Sequence, residues 1–136
     1  MIRQIVTDTV FLSQRSEPAA PFDRTVGQDL LDTLRANQDR CVGLAANMIG
    51  ANRRVIAVSD EGRLQVFYNP EITRSSRPYE TEEGCLSLPG TRRVTRYACI
   101  RLHWQDEQGT PHEQAFLGLT AQIIQHECDH CEGILV

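Results

Sequence analysis

Apolar and polar positions follow two different periods along this chain, and the switches between them predict its elements. Val26, Leu30, Leu31 and Leu34 recur at helical spacing behind Asp23 or Thr25, either of which can cap a helix expected to end near residues 37–40. Residues 13–21, with Pro18 and Pro21, read as the loop ahead of it. The β-branched run at 55–58 and the segment 64–68 read as strands joined by the turn Asp60-Glu61-Gly62. Asn69-Pro70 should end the second strand, and Ile72 and Thr73 should begin another short one. Residues 92–104 alternate Val94, Tyr97, Cys99 and Leu102 with arginines imperfectly, and a turn at 106–109 leads to a strand at 113–117. A last helix should start near 118–120 with Leu119, Ile123, His126 and His130 along one side. This pattern predicts an α+β fold: short antiparallel strands wrapped around a buried C-terminal helix, whose two histidines four apart can serve as metal ligands, plus an N-terminal helix.

The 136 residues are enough for a single domain spanning 1–136, and 40% apolar with 24% charged residues is ordinary for a globular protein. No apolar run approaches membrane-spanning length, and Met1-Ile-Arg-Gln-Ile-Val lacks the layout of a signal peptide. A cytoplasmic protein with no membrane partner is the expectation. A net charge of −4 argues against a nucleic-acid surface, and no nucleic-acid motif is present. All 14 basic side chains are arginine, which excludes Schiff-base chemistry on lysine. Five cysteines are an odd number for a disulfide framework, so at least one is better explained as a metal ligand. Cys128 and Cys131 have the spacing of a redox or zinc pair, but inside a helical metal motif they read as buried, inert thiols.

The chemistry concentrates at His126-Glu127-x-x-His130. Histidines four apart share a helix face and can both turn an imidazole toward one divalent cation. Glu127, beside that face, is free to act as a general base on water at the metal. A catalytic metal of this kind takes three protein ligands, so a third must come from outside the helix. The candidates are Cys85, His103, His112 and various carboxylates. Cys85 is the best placed, in the segment Glu83-Gly-Cys-Leu-Ser-Leu-Pro-Gly90, where Gly84 permits a turn, Leu86 and Leu88 anchor a loop and Pro89-Gly90 terminates it. His103 and His112 fall in the expected hairpin strands and read as strand histidines.

Three motifs in order, Gly43-Leu-Ala-Ala-Asn-Met48, Glu83-Gly-Cys-Leu-Ser87 and Gln125-His-Glu-Cys-Asp-His130, make the chain resemble the peptide deformylases over nearly its whole length. The resemblance implies an enzyme that removes the formyl group from the N-terminal formyl-methionine of nascent polypeptides, with transient ribosome association possible. It implies Fe²⁺ in the cell, with Zn²⁺, Ni²⁺ or Co²⁺ as substitutes, held by Cys85, His126 and His130. Glu127 is then the acid/base, the backbone N–H of Leu86 an oxyanion donor, and the Gly43 carbonyl a contact to the substrate peptide. Val42, Leu86 and Ile123 would wall the pocket for the methionine side chain. Gln125 and Asp129 are candidates to orient the imidazoles, and Glu83 to pair with an arginine. Many deformylases extend beyond the equivalent of Val136, so substrate binding here is expected to rely on the body of the domain.

Two positions depart from the family pattern. Cys41 stands where the first motif usually has its leading glycine, and Met48 stands where the family has the glutamine that donates to the oxyanion. A thioether cannot donate a hydrogen bond, and one lost oxyanion donor typically costs about 10²- to 10³-fold in rate. Asn47 or a water could take over that role, the enzyme could be slow or of altered specificity, or the chain could be an inactive metal-binding relative. A zinc metallopeptidase shares the His-Glu-x-x-His signature, but that class usually draws its third ligand from a downstream His or Glu.

Overall fold

The computed structural model describes residues 1–20 and 23–136; of the loop expected at 13–21, Pro21 lies outside the described residues. A one-turn helix that the periodicity did not reveal, α1 (Thr9–Leu12), is capped by Asp8, whose side chain accepts from the backbone N–H of Val10 at 2.9 Å. The expected N-terminal helix is α2 (Arg24–Ala36), which buries Leu30 and Leu34 and leaves Val26 and Leu31 half-buried. Asp23 occupies its cap position without capping it. Its carboxylate instead accepts from Ala20 N–H at 2.8 Å and pairs with Arg53 at 3.3 Å.

The strands are β1 (Gly43–Ala45), β2 (Val55–Asp60), β3 (Arg63–Cys85), β4 (Leu88–Gln105) and β5 (Pro111–Leu117), followed by α3 (Gly118–Cys131). They form one sheet in the order β1-β2-β3-β4-β5 with every neighbouring pair antiparallel. Glu61 and Gly62 both take positive φ, the backbone a two-residue hairpin needs to match strand twist.

The class is the α+β fold expected, but two strands are much longer than the hydrophobic pattern indicated. Asn69-Pro70 does not end a strand: β3 runs through it to Cys85, 23 residues in all, and the short strand expected at Ile72 and Thr73 is part of it. The reason is local. Strand β2 pairs with β3 only as far as Tyr68, and the register with β4 shifts between Tyr68 and Glu71. Pro70, which has no N–H to give, falls inside that irregularity, where no ladder bond is lost. Asn69 takes φ 51°, and its amide bonds Ala19 and Gln105. The Cys85 segment is likewise not an open loop. Cys85 pairs with Leu88 across a two-residue turn formed by Leu86 and Ser87, so Pro89-Gly90 lies within β4 and terminates nothing.

The core lies between the sheet and its helices. Phe67 packs edge-to-face on Trp104 and Phe116, with centroids 4.9 and 5.8 Å apart. Helix α3 lies against β4, β2 and β1 and buries nine of its residues, the metal-motif triad among them. Among the described residues no helix is long and apolar enough to cross a membrane.

Candidate metal centre

Helix α3 and the β3–β4 turn bring one sulfur and two ring nitrogens together. The Nε2 atoms of His126 and His130 lie 3.2 Å apart, and the Cys85 Sγ is 3.3 Å from His130 Nε2. All three ligand atoms fall within 4.8 Å of one another. A tetrahedral ion with metal–nitrogen bonds of about 2.0–2.1 Å and a metal–sulfur bond of about 2.3 Å needs ligand atoms roughly 3.3–3.6 Å apart. The donor set fits a divalent cation both in geometry and in its mixed sulfur and imidazole character.

The two imidazoles sit in different electrostatic surroundings. His130 is pushed down to about 3, first by burial and then by the neighbouring His126. His126 is raised to about 10: burial opposes the charge, but bonds to Cys85 and Glu83 outweigh it. The two rings are driven in opposite directions because His126 sits against the Glu83 carboxylate while His130 faces the charge on His126. The Ser87 backbone N–H points at the Cys85 sulfur at 3.4 Å and helps to orient it.

His126 is firmly oriented. Its Nδ1 donates to Glu83 Oε1 at 2.8 Å, which fixes the tautomer that leaves Nε2 free for a metal. Glu83 is buried and gripped by Arg96, whose Nε reaches both carboxylate oxygens at 3.1 and 3.0 Å while its second nitrogen reaches Oε1 at 2.7 Å. Burial alone would raise the Glu83 carboxyl, yet bonds from His126, Arg96 and Gln122 hold it down at about 2. Asp129 steadies Arg96 at 2.7 Å. His130 is also buried, but its Nδ1 has no partner among the described residues.

Glu127 is 4% exposed, and burial pushes its carboxyl up to about 7. Gly43 makes room for it: a Cβ there would come within 2.8 Å of both Glu127 Oε2 and the Ile123 side chain. A cavity of about 800 Å³ opens over Glu127, and Val42, Gly43, Cys85, Leu86, Ile123 and Met48 line it.

The structure places Cys85, His126 and His130 together, with Glu127, Gly43, Val42, Leu86 and Ile123 around the adjoining cavity. His103 and His112 lie outside the cluster, and His112 bonds Asp106 at 2.9 Å. Cys128 and Cys131 are buried thiols whose pKa values burial raises, that of Cys131 to about 12. Three expectations need correction. The Gln125 amide binds the Tyr97 backbone and the Ala121 carbonyl, and touches neither imidazole. Asp129 reaches His126 only through Arg96 and Glu83, and does not reach His130. Leu119, placed with Ile123, His126 and His130 along one side of a buried helix, lines the cavity with Ile123 and His126 but is 66% exposed at its rim.

Asn47 does not stand in for the absent glutamine, because its amide nitrogen donates to the His130 carbonyl at 2.9 Å. Met48 is 1% exposed, and its sulfur accepts the Ala45 N–H at 3.5 Å. Sequence reasoning missed Arg96 and Gln122. Strand pairing would have pointed to Arg92, the residue directly opposite Glu83, as the partner of that carboxylate. Gln122 was signalled by its place four residues before His126 on the same helix face.

Comparison with known proteins agrees with this geometry. The family model for polypeptide deformylase matches residues 2–136. A peptide deformylase of Clostridium beijerinckii is 49% identical over 136 residues, covering the whole of both chains. One from Synechocystis is 38% identical over 120 residues, 82% of this chain and 63% of the relative. Among solved structures, the class I type b peptide deformylase of Acinetobacter baumannii with Met-Ala-Ser bound superposes with TM-score 0.88 at 27% identity, covering 99% of this chain and 97% of that one. A peptide deformylase from Legionella pneumophila gives 0.88 at 36% identity, covering 99% and 83%.

Proposed function

The chain belongs to the polypeptide deformylase family, and from that premise we propose how its own residues remove the formyl group from the N-terminal formyl-methionine of new polypeptides. Cys85, His126 and His130 hold the metal, which is Fe²⁺ in the cell and can be replaced by Zn²⁺, Ni²⁺ or Co²⁺, since a thiolate with two imidazoles suits all of them. When bound, the ion supplies the Lewis acidity that makes water nucleophilic near neutral pH.

The remaining work falls to side chains. Glu127, with a carboxyl near neutrality and one oxygen free of partners among the described residues, takes a proton from the attacking water and returns it to the departing amine. The Leu86 N–H, in the turn beside Cys85, donates to the oxygen of the formyl group as charge develops there. Val42, Leu86 and Ile123 receive the methionine side chain, and the Gly43 carbonyl engages the peptide backbone. Residues 1–136 act as one catalytic domain, in the cytoplasm, on nascent chains met through transient ribosome association.

The single observation that carries this reading is the convergence of Cys85 Sγ, His126 Nε2 and His130 Nε2 next to a buried, proton-ready Glu127. It also speaks against a metallopeptidase, because the third donor is an upstream cysteine. The burial of Met48 favours one second reading, a slower enzyme whose oxyanion has lost a side-chain donor. An anaerobic formate-release assay on a formyl-Met peptide tests the proposal. Fe²⁺- or Ni²⁺-loaded protein should release formate, and Glu127→Ala should lower the rate about 10³-fold while keeping its metal. Loaded wild-type protein that releases no formate would leave a metal-holding scaffold in its place.

A further inference from the structure

Gln122 is half-buried, lines the cavity next to Ile123, and has both ends of its amide engaged. Its Oε1 accepts from the Tyr79 hydroxyl at 3.3 Å, and its Nε2 donates to Glu83 Oε2 at 2.9 Å. The Glu83 oxygens are unequally served. Oε1 receives His126 Nδ1 at 2.8 Å and the Arg96 guanidinium at 2.7 and 3.1 Å. Among the described residues Oε2 receives only Gln122 and the same Arg96 Nε, at 3.0 Å. A carboxylate held at both oxygens cannot rotate about its Cγ–Cδ bond. Without Gln122, Oε2 keeps only a nitrogen that it shares with Oε1.

We propose that Gln122 is a positioning residue for the metal ligand His126: it locks the plane of Glu83 and joins that carboxylate to the wall against which the substrate's first side chain packs. Tyr79, from the far part of β3, braces Gln122 in turn. The inference rests on the deformylase reading above and adds to it a residue that acts on the centre through Glu83. An amide beside Ile123 and Leu119 in the cavity lining is explained by this role, whereas a position that served only to hold methionine would favour an aliphatic residue.

The test is Gln122→Met, which keeps length and volume and removes both hydrogen bonds, studied in Co²⁺-loaded enzyme. Partners that orient metal ligands are typically worth about 10- to 100-fold, so a residue one step further out should cost about 3- to 10-fold in kcat, with KM for the formyl-Met peptide changed less than about twofold. The visible Co²⁺ absorption bands should shift, as a change in the His126 ligand requires and a wall contact alone does not. Tyr79→Phe should act in the same direction with a smaller loss, and it carries the test by the same readouts if Gln122→Met does not fold. Wild-type kcat and unchanged Co²⁺ bands, or an effect confined to KM, would overturn the proposal and leave Gln122 as cavity wall. Wild-type protein that takes up Co²⁺ with no thiolate-to-metal absorption would instead overturn the reading of the centre itself.

Discussion

The two walls of the cavity are built on different principles. On the α3 side the groups around His126 are braced in a chain: His126 by Glu83, Glu83 by Arg96 and Gln122, and Arg96 by Asp129. Across from it, the segment from Gly43 through Met48 contributes close backbone and one buried thioether, with no side-chain donor turned to the substrate. The ion-holding wall is organised by charge and hydrogen bonds. The facing wall is organised by space. On the proposed reading the contrast separates two functions: binding the metal would depend on the first wall, and stabilising the developing oxyanion would fall to the Leu86 N–H and the ion.

If space is what the facing wall supplies, filling it should have the largest effect. Gly43→Ala puts a Cβ within 2.8 Å of Glu127 Oε2 and Ile123, and should lower kcat about 10²-fold by displacing the acid/base, while metal content stays at one ion per chain. Loss of the metal along with activity would show that the two walls are not separable. Removing charge from the braced wall comes next. Glu83→Ala frees His126 and leaves the buried Arg96 with Asp129 alone, so metal affinity should fall about 10-fold or more and stability by about 3 kcal/mol, readable by metal titration and urea unfolding. The smallest effect sharpens the contrast: Met48→Gln, by restoring a donor to the facing wall, should raise formyl-Met-Ala hydrolysis several-fold. An unchanged or lower rate would mean that the oxyanion is already fully served.

The helix periods, the hairpin turn at Glu61-Gly62 and the metal motif were legible because each is a local pattern of spacing. Strand length was not. Asn69-Pro70 is a strong stop signal in sequence, but its effect depends on where β2 ends, a fact of pairing and not of composition. The site followed the same rule. His126 and His130 are fixed by helical spacing, and Cys85 could be nominated for its chemistry. The choice of Arg96 over Arg92 for Glu83 depends on how a long side chain runs along a twisted hairpin, and Asn47 looked like a free donor until its amide was found bound to the His130 carbonyl.

The central claim is that Cys85, His126 and His130 ligate one ion. X-ray absorption at the metal edge of Fe²⁺- or Ni²⁺-loaded protein tests it most directly. The account predicts one sulfur near 2.3 Å and two imidazole nitrogens near about 2.1 Å, with the sulfur shell lost in Cys85→Ala and kept in Cys41→Ala and Cys128→Ala. An ion with no sulfur neighbour in the wild-type protein, or a sulfur shell that survives Cys85→Ala, would contradict it.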